Sequence, residues 1–437
     1  MSRGASGSVH SLSRVQQHDP YAAFRSQSYR RYIAGWFITL LGTRIQSVAV
    51  GWDVYQRTGE AFALALVALS QALPTIVLAL PAGMLADRLN RRTLIMLSMT
   101  GMTVTSVCLA AVASLEGPVR VMYVLLFLDA AAVTLGRPAR MALVPHLVPR
   151  DTFQNAVTWN TSMWQISSVV GPAIGGFIVA LSVPLAYLLC ACSSVLFIIA
   201  LSRVDVERAG KEPGRVGSDA LLGGLEFVWR TRVILSAISL DMFAVLLGGA
   251  VYLLPVFAQD ILVVGAKGYG WLRAAPAAGA LCTALLLAHL PSMRRAGRNL
   301  LLAVAGFGAA TIVFGVSRSF WLSLLMLFLT GAFDNVSVVV RHTLVQLTTP
   351  DRVRGRVSAV VSMFLSTSNE LGGFESGTVA HFFGPIVSVV SGGIGTIVVA
   401  GAIALGSPRL RRVRTLHDLA TADDPSAEGH RNRGDKG

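Results

Sequence analysis

Seven ionisable residues stand inside otherwise apolar runs: Arg44, Asp129, Asp241, Asp334, Glu370, Glu375 and His381. A charged group at mid-bilayer costs at least about 2.5 to 3.5 kcal/mol, so each needs a compensating role. Arg44 lies about 12 residues into its run, roughly 18 Å along a helix, too deep to snorkel to the near surface. Binding an anionic substrate or neutralising an acid would account for it. Asp241, Glu370 and Glu375 have no obvious local partner, and a carboxyl group desolvated in a cavity is suited to exchange protons between alternating states. Interhelical ion pairing is the competing explanation for each acid. Asp334 and Arg341 stand two turns apart on one helix face, and Asp129 with Arg137 and Arg140 forms a looser counterpart. For arginines near a span end, headgroup anchoring competes with gating. Asn335 and Asn369 adjoin the acids, and with Gln46, Trp159, Trp164, Gln165 and Tyr252 they are candidates to line a cavity.

The elements that must hold these groups are membrane helices. The chain is 53% hydrophobic and only 14% charged, against about a quarter charged in a soluble domain. Apolar runs recur from Tyr32 to Gly406 with short polar breaks. A helix needs about 20 apolar residues to cross the hydrocarbon. That ruler predicts twelve spans, at 32–54, 62–85, 93–115, 119–136, 155–181, 184–201, 233–258, 268–290, 300–316, 320–340, 357–382 and 386–406.

The formal net charge of +14 is spread over short loops rather than gathered beside aromatic platforms, so it does not point to nucleic acid. Of the 37 Lys and Arg, Arg57, Arg120, Lys267 and Arg318 fall in the loops of one side, Arg44 and Arg273 fall inside spans, and the other 31 share the side of the two termini. By the positive-inside rule both termini are expected in the cytoplasm. Residues 1–28 contain no apolar core of a cleavable signal and read as a cytoplasmic segment; 407–437 read as a disordered tail. Cys108, Cys190, Cys192 and Cys282 lie in apolar segments without metal-ligand spacing and read as small buried side chains.

Shifting the sequence by about 201 residues aligns it with itself: Leu126-Phe127-Leu128 falls on Leu327-Phe328-Leu329, Arg140 on Arg341, Pro149 on Pro350 and Gly171 on Gly372. Six spans per copy, an even number, insert both copies in the same sense. The expected architecture is an all-α membrane protein of two parallel six-helix bundles, 29–202 and 233–406, joined by a polar linker at 203–232. Such halves place a substrate site at the midplane between them.

After span two stands Gly83-Met84-Leu85-Ala86-Asp87-Arg88-Leu89-Asn90-Arg91-Arg92. Arginines alone would serve topology, but an acid among them has no topogenic value. This segment resembles the signature of the major facilitator superfamily. The resemblance implies a conformational lock built on Gly83, Asp87, Arg88, Arg91 and Arg92, with Arg140 and Arg341 at the ends of spans four and ten added as gating candidates. Asn90, in place of a second glycine, still tolerates a left-handed turn. The equivalent loop of the second copy, 289–295, lacks the acid, so the lock is expected to be one-sided.

Span five contains Gly171-Pro172-Ala173-Ile174-Gly175-Gly176, similar to the motif of the superfamily's exporter branches. Gly171 and Gly175 share a helix face suited to close packing, and Pro172 bends the span. The stretch 136–176, with Arg137-Pro138-Ala139-Arg140 and Gln154-Asn155-Ala156, and Thr349-Pro350-Asp351 with Arg354-Gly355-Arg356 in the second copy, resemble the enterobactin-exporter and drug:proton antiporter type of facilitator.

The resemblance implies a multi-pass protein of the bacterial inner membrane, a secondary transporter exporting a siderophore-like or hydrophobic small molecule against protons. It would act as a monomer among membrane lipids, with no cofactor, metal or nucleic acid. A metabolite uptake symporter and a lipid flippase are the alternatives. No Walker A loop, HExxH or GxSxG occurs, which disfavours ATP-driven transport and common hydrolysis, so no enzyme is expected. Green fluorescent protein fused to the C-terminus is expected to fluoresce and alkaline phosphatase fused there to be inactive. Phosphatase inserted at Glu116-Gly117 should be active; the reverse pattern would invert the topology.

Overall fold

The computed structural model describes residues 19–204, 225–290 and 296–406, and within them the side chains of Asp87, Arg352 and Arg354, among others, lie outside the described residues. The long helices are α1 Gln27–Thr58, α2 Ala61–Arg88, α3 Arg91–Ser114, α4 Val119–Leu143, α5 Phe153–Leu181, α6 Val183–Ser202, α7 Arg232–Leu247, α8 Gly265–His289, α9 Ala296–Val316, α10 Phe320–Thr348, α11 Asp351–Phe383 and α12 Pro385–Gly406. No strand occurs among the described residues. Eleven helical stretches are long and apolar enough to cross a membrane. The polar α11 runs beside them, packed against α2, α7 and α12. Large apolar side chains such as Val77, Leu97, Val124, Leu285 and Leu405 face outward, as a lipid-solvated surface requires.

The two copies pack alike. In the first, α1 packs on α5 and α6, α2 on α4, and α3 on α4 and α6; in the second, α7 packs on α11 and α12, α8 on α10, and α9 on α10 and α12. Between the copies the main interfaces are α2 with α11 and α5 with α8, which the repeat exchanges for one another. The last residues of spans one and seven meet, Tyr55 donating its hydroxyl hydrogen bond to the Asp260 carboxylate, so the copies are inserted in parallel.

Among the described residues, the core shared by the copies lies at one end. One core cluster crosses between them, built from the end of α1, the starts of α2, α4, α6, α8, α10 and α12, and Ala250–Ala258 of span seven. At the opposite end, where α1 begins and α12 finishes, the clusters each belong to one copy. A Cβ on Gly176 of α5 would lie 2.7 Å from the Ala266 carbonyl oxygen of α8, and one on Gly377 of α11 would lie 2.8 Å from the Ala65 Cβ of α2. Shifting by 201 carries Gly176 to Gly377 and Ala65 to Ala266, so one backbone contact is made twice. At the termini-bearing end a Cβ on Gly83 or Gly355 would meet open space. Among the described residues the copies therefore meet backbone to backbone at the end away from the termini.

Several expectations shift. Span seven is not one continuous helix: α7 stops at Leu247, and the chain continues as a 3-10 turn Gly249–Leu253, a short α turn Leu254–Val256 and a π turn Phe257–Ile261. The Gly248-Gly249 pair and Pro255 supply the break. Helices α4 and α10 run past the expected 136 and 340, which brings Arg140 and Arg341 inside them. Asn90 adopts no left-handed turn; its φ is −62°, and its side chain caps α3 by accepting from the Arg92 amide. Residues 205–224 of the linker lie outside the described residues, while 225–230 are helical and Val228 is buried in the second copy.

Ala65→Cys with Gly377→Cys, in a chain whose four native cysteines are serine, should cross-link on mild oxidation. The cross-linked protein should not turn over, and Gly176→Val should lower the cross-linking yield by forcing α5 from α8.

Candidate functional site

The end where the copies touch is roofed by aromatic and charged side chains from both of them. Trp52 of α1 stacks on Tyr269 of α8 at 6.0 Å. One helical turn in from Tyr269, Arg273 of α8 crosses to α1, donating from Nη2 to Ser47 Oγ at 2.8 Å and from Nη1 to the Val251 carbonyl at 3.5 Å. Arg44, one turn further along α1 from Ser47, sets its guanidinium 5.3 Å from the ring centre of Trp164 on α5. Gln165 beside it donates to the Ala277 carbonyl of α8 at 3.4 Å. On α11, Glu370 accepts from the Tyr252 hydroxyl at 3.4 Å.

The exporter-type motif explains why α1, α5 and α8 approach so closely. Gly171 and Gly175 face α1, where Cβ atoms would lie 2.4 Å from the Arg44 Cβ and 3.2 Å from the Ile45 Cα. Gly176 and the Pro172 carbonyl face α8 instead, each 2.7 Å from where a Cβ on Gly270 would lie. The motif thus wedges α5 between the copies and fixes the depth of Arg44.

Tyr252 and Asn369 also line a cavity of ≈ 170 Å³ inside the second copy, beneath the break in span seven, together with Phe307, Thr311, Pro276 and Asp334. A smaller neighbouring pocket is lined by Asp334, Asp241, Ser337 and Phe333. Asp334 therefore borders both. Among the described residues no base lies within ion-pair distance of it. Asn335 has a buried side-chain nitrogen with no protein partner, and Glu375 accepts from the Ser376 hydroxyl at 3.2 Å.

Two pairings differ from the sequence expectation. Arg341 does not turn to Asp334 on its own helix. It crosses to Asp241 on α7, in an ion pair whose side chains are 3% and 5% exposed, so Asp241 is not a partnerless acid. Nor does Asp129 pair with Arg137 or Arg140 among the described residues. It accepts from the Thr105 hydroxyl at 2.7 Å, while Arg140 places its guanidinium 4.8 Å from the Trp36 ring centre with Nη1 buried and unpartnered. The offset of 201 explains the difference: the counterpart of Asp241 in the first copy is Leu40.

In the loop after α2, Arg91 donates to the Ala142 carbonyl at 3.2 Å and lies 2.6 Å from His146 Nε2, while Arg92 donates to the Ser202 carbonyl at 2.5 Å. They tie the start of α3 to the ends of α4 and α6 within the first copy. Arg88 is exposed, and the side chain of Asp87 lies outside the described residues. The His381 ring lies 5.4 Å from that of Phe62 on α2, tilted by 42°, at the end where the copies touch. Of the other cavity candidates, Gln46 is buried and accepts from Ser106 at 2.7 Å, and Trp159 donates to the Pro20 carbonyl at 2.8 Å, away from the cavity.

Sequence reasoning passed over Arg273, Asp260 and Asp53. Arg273 carried the same signal as Arg44, an arginine inside an apolar run. Asp53 and Arg57 carried i,i+4 spacing, and they form a buried ion pair at 2.6 Å whose arginine also caps the Ala113 and Gly117 carbonyls at 3.0 Å each. Arg57 is thus a structural cation, not a loop residue.

Removing one partner of a buried pair strands the other charge, a loss of about 3–5 kcal/mol, whereas apolar replacement of both is often neutral. Asp241→Asn and Arg341→Gln should each unfold at markedly lower temperature in detergent, and Asp241→Leu with Arg341→Met should recover most of the loss. Equal melting of all forms would show that the pair carries no stability.

Comparison with known proteins agrees with this architecture. The chain is 26% identical over 400 residues to the enterobactin exporter EntS of Shigella boydii serotype 18, covering 91% of this chain and 96% of the relative, and equally so to EntS of Escherichia coli O81. Among solved structures it resembles a bacterial homologue of the human lysosomal transporter Spinster in an inward-facing, unoccupied conformation, with a TM-score of 0.69 at 14% identity, covering 90% of this chain and 98% of that one. The nucleoside transporter NupG superposes with a TM-score of 0.68 at 13% identity, covering 87% and 98%. The profile of transmembrane secretion effectors matches residues 18–428, nearly the whole chain. The protein is a multi-pass membrane transporter rather than an enzyme, and it belongs to the transmembrane secretion effector family of the major facilitator superfamily.

Proposed function

We propose that this secondary transporter exports a siderophore-like or hydrophobic small molecule across a bacterial inner membrane, by alternating access and against an inward flow of protons. Both termini are then cytoplasmic, and the substrate loads from their side. The observation that carries this reading is the contact between the copies: among the described residues they touch backbone to backbone at the end opposite the termini, with Arg44 and Arg273 one or two turns in from that contact. The exporter-type glycines that make the contact possible, and relatives described as enterobactin exporters, support the outward direction.

Coupling is assigned to Asp334. It borders both the larger cavity and the pocket that reaches Asp241, and it has no counter-charge within ion-pair distance among the described residues. An unpaired carboxylate in a low-dielectric site is costly, and taking up a proton removes that cost. A proton arriving there alters the field on the adjacent Asp241–Arg341 pair, which joins α7 to α10. Glu370, joined to Tyr252 at the cavity wall, is the second acid placed to sense occupancy.

The test uses everted vesicles containing the protein, an acidified lumen and radiolabelled enterobactin. The expected result is gradient-driven accumulation, reduced about tenfold or more by Asp334→Asn, with downhill exchange retained. Accumulation unchanged in Asp334→Asn would remove this acid from coupling, and movement only in the opposite sense would identify an uptake symporter.

A further inference from the structure

We infer that the end where the copies touch recognises a small aromatic anion, with Arg44 and Arg273 taking its negative charge and Trp164 its ring. This deepens the transport reading above and rests on it.

The argument begins with how the other buried arginines are satisfied. Arg57 has Asp53 at 2.6 Å, and Arg341 has Asp241. Arg44 and Arg273 have no carboxylate within ion-pair distance among the described residues. Among the described residues Arg273 is held by neutral oxygens, the Ser47 hydroxyl and the Val251 carbonyl, with the Tyr269 hydroxyl beside it. Arg44 has the face of Trp164, and the two guanidinium groups repel one another across the copies. The acid that acts on Arg273 electrostatically is Glu370, a single carboxylate already sharing its charge with the Tyr252 hydroxyl. Among the described residues, neither guanidinium at the roof is neutralised by a carboxylate in direct contact.

Nothing in the duplicated scaffold asks for these two charges. The repeat counterpart of Arg44 is Val245 and that of Arg273 is Ala72, so each position is occupied in the other copy by an apolar side chain. Two like charges in a poorly solvated site are unfavourable until an anion arrives between them. The guanidinium plane suits a carboxylate or other paired-oxygen anion, which it can engage through two parallel hydrogen bonds. Trp164 is 49% exposed, so its ring has surface available beside the guanidinium. Because Arg44 belongs to the first copy and Arg273 to the second, a bound anion ties the two together at the closed end. Occupancy thereby favours the state described here.

The experiment uses the purified full chain in lipid nanodiscs, without any gradient, and radiolabelled salicylate with salicylamide as its neutral isostere. Wild type is expected to bind salicylate saturably, with salicylamide competing about tenfold or more weakly. Arg44→Gln and Arg273→Gln should each weaken salicylate about tenfold or more while leaving salicylamide competition in proportion. Absence of saturable salicylate binding, equal competition by salicylamide, or undiminished binding in Arg44→Gln would each overturn the assignment. Wild-type selectivity decides it even where a variant does not fold. Since no transport is measured, a chain that binds the anion yet fails to accumulate enterobactin in vesicles would keep this site and lose the export reading, and the converse separates them equally.

Discussion

The structure depends on how closely helix backbones approach across the two copies at one end. Gly176 against Ala266, and Gly377 against Ala65, leave no space for further side-chain atoms. In lipid, helix association draws little from the hydrophobic effect and relies on van der Waals contact between small residues. Such contacts are lost quickly with separation, so the closure is a discrete state rather than a soft hinge. The same approach carries Trp52, Tyr269, Arg273 and Arg44 to the roof, so the closing contact also builds the polar site beneath it.

The repeat supplies the frame, and departures from it supply the chemistry. Helix pairings in one copy are reproduced in the other, as the shared offset of small residues and of Arg140 and Arg341 requires. The charges do not follow. Asp241 corresponds to Leu40, Arg44 to Val245, Arg273 to Ala72 and Glu370 to Val169. The second copy consequently holds the Asp241–Arg341 pair and a cavity bordered by Asp334, whereas the first holds the Asp53–Arg57 pair and offers Arg44 with an indole ring. Rocking between halves needs symmetry in the contacts and asymmetry in what they handle.

Buried arginines show how a bilayer protein resolves the same cost in different ways. Arg57 is answered by a carboxylate and two helix-end carbonyls, Arg341 by a carboxylate from another helix, and Arg140 by an aromatic face. Arg91 and Arg92 remain near the surface and use the carbonyls that helix ends leave unpaired. Only Arg44 and Arg273 are met by neutral groups within a roof shared by both copies. The distinction rests on geometry, since every one of these side chains has the same charge.

Much of this was legible in one dimension. The spans follow from the length of apolar runs, the parallel copies from an even number of spans per repeat, and the close-packing face of Gly171 and Gly175 from helical spacing, because each rests on a periodicity written along the chain. The break in span seven was visible as Gly248-Gly249 and Pro255 but masked by unbroken hydropathy. What the tertiary structure decided was partnership. On α10 spacing alone pairs Arg341 with Asp334, while packing against α7 brings Asp241 nearer; on α4 the same reasoning pairs Arg140 with Asp129, while α1 presents Trp36. A lone charge in an apolar run announces that something must compensate it, but the compensating group comes from whichever helix is folded against it, and that choice is set by three-dimensional packing that no local spacing records.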